Sequence, residues 1–250
     1  MQKLTIYLLL LGLMCSCGSL QKGHVVDAFN TIDTKYSQSG DQKLVDDEQL
    51  KNSLEKAEIR LEELVTEAKK AGSGAVTFLS SDLFIKANDA SIRGDNTTAA
   101  LLFKYVHMLV PKDNWVKRKY AVELIRIGDL ELSEKILAEI FQLEGLKEEN
   151  IGLILGGVYT ALDKSKKARK IYKQVMVAHP KNEEACIFLS KSYALEKEHK
   201  KAKKLLKSCE EKIKGKAIFS YFMGKMSVDL GDREEAMSHF RHALKVVKKY

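Results

Sequence analysis

The chain has 250 residues, of which 45 % are hydrophobic and 30 % charged, the balance of an ordinary globular protein. Only two prolines interrupt long stretches rich in Ala, Leu, Lys and Glu, which points to an all-helical protein rather than a strand-rich one. The formal net charge of +8 is polarised: residues 163–250 alone carry 23 Lys and Arg against 11 Asp and Glu, a net of +12.

In chain order, Lys3 is followed by an apolar run of 11 residues, Leu4 to Met14. That is too short to span a bilayer and fits the core of a secretory signal. Cys15 and Cys17 come next, and Cys17 alone stands behind a small residue, Ser16. The stretch resembles a bacterial lipoprotein signal, although Cys15 occupies a place that family gives to a small residue. The resemblance implies that residues 1–16 are a signal peptide and that Cys17 is acylated as the new N-terminus. The alternative is an ordinary signal peptide with a chance cysteine. Several acyl chains would anchor the protein durably, at roughly 0.8 kcal/mol for each buried methylene. In related diderm lipoproteins an aspartate after the cysteine retains the protein on the inner membrane. Gly18 stands here instead, so the resemblance implies the outer membrane, facing the periplasm.

Residues 17–40, with their Gly and Ser, read as a tether spanning about 25 Å if flexible. A helix is predicted from Asp41 to Ala71, within a segment 41–74. Its acids come early and Lys69 and Lys70 late, matching the helix dipole. Leu50, Leu54, Ala57, Leu61, Leu64 and Ala68 form one apolar stripe. It reads as a capping helix over the C-terminal domain, with a short coiled coil to a partner as the alternative.

Gly94-Asp95, Gly128-Asp129 and Gly231-Asp232 mark three turns, the first two 34 residues apart. Each glycine is followed five residues later by a small side chain (Ala99, Ser133, Ala236) and four after that by Phe103, Leu137 or Phe240. The segment 149–182 carries Leu155, Gly156, Tyr159, Ala168, Tyr172, Val175 and a helix-stopping Pro180 in the same register. This pattern resembles the tetratricopeptide repeat, a helix-turn-helix unit of 34 residues. Five units result: 80–113, 114–147, 149–182, 183–216 and 217–250, in a domain 75–250. Glu148 is an extra residue, and the fourth unit has Lys197 where the turn glycine falls. The resemblance implies an all-α fold, a superhelical solenoid of five such repeats with an N-terminal capping helix.

It also implies where partners bind. Positions 2, 5, 9, 12 and 13 of each first helix line a concave groove in that family. Carried over, they give Phe84 and Asn88; Trp115, Arg118, Val122 and Arg126; Leu153 with Gly157, Thr160 and Ala161; Ile187 and Lys191 with Ala194 and Leu195; and Tyr221 and Lys225 with Asp229. Phe84 rather than lysine precedes Asn88, so the family's carboxylate clamp for chaperone tails is not expected. A second surface is basic: Lys166, Lys167, Lys170 and Lys173 on one repeat are followed on the next by Lys200, Lys203, Lys204 and Lys207. A solvated face, or a binding face for acidic protein, anionic lipid or cell-wall polymer, explains it; nucleic acid is not expected without interleaved aromatics. Met237, Leu244 and Val247 face the place where a further helix would pack. A partner, a second copy forming a homodimer, or further chain would cover them.

No phosphate-cradling glycine loop, zinc-protease histidine pair or serine nucleophile elbow is present, so no catalysis, cofactor or metal is expected. His239 and His242 share a helix face but show no acidic or cysteine partners in the sequence nearby. Cys186 and Cys209 face one another across the fourth hairpin. Packed helix axes lie about 8–10 Å apart and a disulfide needs α-carbons within about 7 Å, so a bond is marginal and two buried free thiols are expected.

The layout is similar to outer-membrane lipoproteins that escort the secretin pores of type IV pili, and less closely to those that recruit peptidoglycan hydrolases. It implies a non-catalytic, lipid-anchored periplasmic scaffold that binds an envelope protein. The alternative is a cell-wall tether, or an adaptor for peptidoglycan enzymes, acting through the lysine face.

Overall fold

The computed structural model describes residues 47–248, with side chains from residue 55. The signal peptide, Cys17, the tether and the first residues of the predicted 41–71 helix lie outside them. The chain divides into two compact units between Glu123 and Leu124.

The first unit holds α1 (Asp47–Ala71), α2 (Ser73–Ile92), α3 (Asn96–Leu109) and most of α4 (Asn114–Ile127). Along α1, Ala57, Leu61, Leu64, Val65 and Ala68 are buried, and the helix packs on both α2 and α3. From Ala57 onward the stripe therefore packs over the first hairpin. Polar contacts pin the same seam: the Tyr105 hydroxyl donates to Glu58 O at 3.1 Å, and Lys104 pairs with Glu58 at 3.2 Å. Burial, with the carboxylates of Glu62 and Glu58 alongside, holds the Tyr105 hydroxyl protonated far above its ordinary range.

The first hairpin departs from the predicted start at residue 80. Helix α2 begins at Ser73, so it is 20 residues long. Gly72, at φ +101°, makes the whole break from α1, and no proline or cap between Ser73 and Leu79 delays the new helix.

The second unit continues with α5 (Leu130–Glu144), a 3₁₀ turn (Gly145–Lys147), α6 (Glu149–Ala161), α7 (Ser165–Ala178), α8 (Glu183–Leu195), α9 (His199–Lys212), α10 (Ala217–Asp229) and α11 (Arg233–Val247). Consecutive helices pair as antiparallel hairpins, and each first helix also packs on the second helix of the hairpin before it. At the hairpin crossings small residues meet rings. Gly156 lies against Tyr172 and Gly224 against Phe240, each leaving no room for a Cβ. In the fourth hairpin fully buried Ser190 and Ala202 provide the clearance.

That clearance decides the cysteines against expectation. Cys186 and Cys209 form a disulfide, with α-carbons 6.5 Å apart. Typical axis separations overstate the gap for side chains aimed at one another across a crossing of small residues. Closing a loop of 23 residues stabilises the hairpin by about 3 kcal/mol in the chain-entropy account.

Every turn within a hairpin uses one residue in the left-handed region. Gly94, Gly128 and Gly231 take it at φ +81°, +86° and +80°, and the aspartate after each caps the next helix. Asp163 and Lys197 occupy the same slot at φ +56° and +60°. A side chain there costs about 1–2 kcal/mol, partly offset by the greater unfolded entropy of glycine. Lys197→Gly should therefore stabilise the protein by about 0.5 kcal/mol and Gly231→Ala should destabilise it by about 1 kcal/mol. Shifts of the urea midpoint in opposite directions are the expected result; a downward shift for Lys197→Gly contradicts it.

Candidate partner-binding groove

In the second unit the first helices α6, α8 and α10 line an open groove with a volume of about 890 Å³. Its lining comes in rows set by helical register. Leu153 belongs to one row; Gly157, Lys191 and Lys225 to the next; Ala161, Leu195 and Asp229 to the third. Thr160 and Ala194 lie between. All were expected on the concave face.

Residues that the family pattern does not place there complete it. Ile154, Phe188 and Phe222 recur one residue after the Leu153 row, joined by Tyr172, Ser192, His199 and Met226. The signal was present in the sequence as an apolar residue repeating every 34 positions at 154, 188 and 222. The physical reason for their exposure to the groove is that neighbouring first helices interleave. The Lys191 ammonium sits 4.8 Å above the Phe222 ring of the next hairpin and 5.8 Å from Phe188 on its own. Tyr172 and Phe188 stack at 5.6 Å.

The groove lysines differ from the cations at the seams between hairpins. At those seams, cations of one hairpin are held by carboxylates of its neighbour. Lys164 and Lys167 share Glu134; Arg169 binds Glu196 and Glu198; Lys203 binds Glu235; Lys216 meets Glu183 at 2.8 Å. Lys191 and Lys225 meet no carboxylate at ion-pair distance among the described residues. The Asp229 carboxylate lies 3.4 Å from His199 Nδ1. Ser192, 3 % exposed at the groove wall, has no hydrogen-bond partner for its hydroxyl among the described residues.

Of the other expected groove residues, Arg126 is exposed, Ile187 is buried in the core with Cys186 and Cys209, and Tyr221 is exposed, with its ring against Phe222 and Phe240. In the first unit Phe84 packs edge-on against Phe103, and Asn88 donates to Phe84 O at 2.8 Å. Trp115 is 56 % exposed with Lys119 over its ring, Val122 is half-buried, and Arg118 is half-buried. Asp113 caps α4, accepting from the Trp115 amide at 2.8 Å.

The lysine face is thinner than its count suggests. Lys203 and Lys167 are committed to Glu235 and Glu134, and Lys173 lies over the Tyr193 ring at 5.7 Å. Lys166, Lys170, Lys200, Lys204 and Lys207 are exposed and make no ion pair with a described residue.

The two C-terminal histidines do meet carboxylates, against expectation. His239 lies 3.8 Å from Glu235 and His242 lies 3.8 Å from Glu210. Glu235 is the residue four before His239 on α11 itself, whereas Glu210 reaches His242 from α9. Fully buried Ser220 fills the space between, donating to Glu210 at 2.5 Å and meeting His242 at 2.8 Å. Its hydroxyl is thus enclosed in packing. Among the described residues no three His, Cys, Asp or Glu side chains converge as a metal site, and no helix is long and apolar enough to cross a membrane.

Hydrogen bonds from Lys164 and Lys203 hold the Glu134 and Glu235 carboxyls below their ordinary value of 4.5. Groups with depressed values stabilise the fold above the unfolded value and lose that contribution as pH falls through the folded one. Wild-type protein should therefore lose more thermal stability between pH 5 and pH 3 than a Glu134→Gln, Glu235→Gln double variant. Parallel pH profiles of the melting temperature contradict that assignment.

A family model described as a tetratricopeptide repeat matches residues 219–247. No curated protein sequence matches the chain. Among solved structures, the chain is similar to a crystal structure of MamA protein at 20 % identity and a TM-score of 0.60, covering 71 % of this chain and 94 % of that one. MamA residues 41 to the end from Desulfovibrio magneticus RS-1 give 16 % identity and 0.59, covering 68 % and 96 %. TTC0263, a thermophilic TPR protein in Thermus thermophilus, gives 16 % identity and 0.50, covering 68 % and 92 %. At such identities the likeness concerns the fold, which is the all-α tetratricopeptide solenoid with a capping N-terminal helix.

Proposed function

We propose that this protein is a non-catalytic, lipid-anchored scaffold that recruits a protein partner of the cell envelope into the α6–α8–α10 groove and supports assembly of an envelope complex such as a pilus or secretion pore. The tetratricopeptide fold implies a protein–protein interaction scaffold. The observation that carries the assignment to the groove is its pair of lysines, Lys191 and Lys225. They stand in a mostly apolar lining with no carboxylate at ion-pair distance, whereas the other unpaired lysines described above lie outside the groove on the lysine face. A partner segment with apolar side chains and a carboxylate would complete what the groove lacks, filling the rings' surface and pairing the lysines.

The placement in the envelope is supported by the sequence around Cys17 and by nothing else. Cys17→Ser should abolish incorporation of radiolabelled palmitate and release the protein from the membrane pellet. Labelling that survives the substitution overturns the anchor.

The groove is tested by photo-crosslinking in the source cells, with a photoreactive phenylalanine analogue at Leu195 and, as control, at Lys166 on the lysine face. A discrete protein adduct at Leu195 is expected. Lys191→Glu with Lys225→Glu should reduce it at least tenfold while far-ultraviolet circular dichroism stays unchanged. An adduct at Lys166 only, or one at Leu195 indifferent to both charge reversals, overturns the groove reading. The first of these outcomes favours the cell-wall or peptidoglycan-enzyme role for the five unpaired lysines.

A further inference from the structure

The last helix carries a surface that the groove reading does not use. On α11, Met237, Leu244 and Val247 are 51 %, 60 % and 62 % exposed. Phe240 lies between them, half-buried, with its inner edge against Gly224 and Tyr221. The four fall at spacings of three, four and three, one seam along a single helix face. Scattered exposed hydrophobics are ordinary, but a continuous helical seam is the pattern of an interface. The rest of α11 follows the usual rule, since Ala236 and Ala243 are buried inward against the hairpin.

The charges flanking this seam select among possible occupants. At its start stands Glu234 and at its end Lys248, both exposed and in the same heptad position, with Arg241 midway between. Neither Glu234 nor Lys248 makes an ion pair with a described residue. The neighbouring Glu235 is excluded from this role because Lys203 and Ser227 hold it inside the unit. In a parallel pair this charged flank would face the alanine flank of the partner, Ala236 and Ala243, and the charges would find no complement. An antiparallel copy sets unlike charges together.

We infer that α11 is a homodimerisation helix, pairing antiparallel with α11 of a second copy about a two-fold axis beside Arg241. In that register Met237 packs on Val247 and Phe240 on Leu244, each contact occurring twice, as an isologous interface requires. Glu234 of each copy faces Lys248 of the other, giving two ion pairs. The two Arg241 side chains meet at the axis and oppose the association, so the dimer is weak. A single helix pair is also small beside the roughly 1,200 Å² of a standard interface, the size class of weak and transient contacts.

Sedimentation velocity of the full-length chain over a concentration series tests this directly. The expected result is a monomer–dimer equilibrium with no larger species. Leu244→Glu should raise the dissociation constant at least tenfold. Glu234→Lys alone and Lys248→Glu alone should each raise it about threefold, the scale of exposed ion pairs, and the two together should restore it. Arg241→Gln should lower it. A monomer throughout the series overturns the inference. So does a dimer insensitive to Leu244→Glu, or a ladder of trimers and tetramers, which would mean head-to-tail stacking through different surfaces. Failure of the charge-swap pair to rescue, with Leu244→Glu still effective, overturns the antiparallel register. None of these variants touches a groove residue, so the groove experiment and this one fail independently.

Discussion

The structure depends on how closely the two helices of a hairpin can cross. Where a glycine opposes an aromatic ring, as at Gly156 with Tyr172 and Gly224 with Phe240, the ring fills the volume a Cβ would have taken. The crossing is then a packed contact rather than a gap, at the density protein interiors require. Ser190 and Ala202 do the same with two small residues, and the space they leave brings Cys186 and Cys209 within bonding distance. The covalent bond is thus a consequence of the same constraint that shapes the non-covalent crossings. It ties together α8 and α9, the hairpin at the middle of the groove.

Close crossing also fixes what the other faces of each helix do. Once one side of a first helix is committed to its own hairpin, its neighbouring sides must meet the hairpins before and after. The polar version of that meeting is the set of carboxylates reaching cations about one repeat away: Glu134 to Lys164 and Lys167, Arg169 to Glu196 and Glu198, Lys203 to Glu235. These pairs absorb part of the strong positive excess of the C-terminal half. Net charge by segment therefore overstates the charge available to a ligand, and the cations that remain are informative by position. Lys191 lies in the groove over aromatic rings with Lys225 in the same row, and Lys166, Lys170, Lys200, Lys204 and Lys207 lie outside it on α7 and α9.

How much of this is legible in the sequence depends on the range over which each signal acts. The period of 34 and the turn aspartates are local chemistry, a left-handed residue followed by an N-cap, and they read directly. Even where glycine is missing, Asp163 and Lys197 keep the left-handed geometry, because the hairpin closes only with that turn. Helix α2 starts seven residues before its expected position because the repeat pattern has no rule for the chain ahead of it, whereas Gly72 alone suffices to break the helix. The disulfide and the Glu210 partner of His242 depend on distances between helices, which no spacing along one helix encodes, whereas Glu235 stands four residues before His239 on α11 itself and is legible from the spacing. Phe188 and Phe222 escape the family's groove pattern for a related reason. Their row lies one residue beyond the groove positions of the family pattern, and the rings line the groove where Lys191 reaches over Phe188 of its own helix and Phe222 of the next hairpin.

The groove and the α11 seam occupy different helices of the same unit, and this bears on what a scaffold of modest affinity can achieve. The groove is built on first helices, the seam on the last second helix, and Tyr221 touches both Phe222 and Phe240 between them. A partner in the groove and a second copy on α11 therefore bury separate side chains. Paired copies would present two grooves, and a partner that is itself repeated would bind the second with an effective concentration set by the first contact. For weak individual contacts, such as a few rings and two lysines, that multiplication matters more than any improvement of a single groove. It would also explain why the seam can stay weak: an interface opposed by Arg241 at its axis forms most readily when a multivalent partner has already brought two copies together.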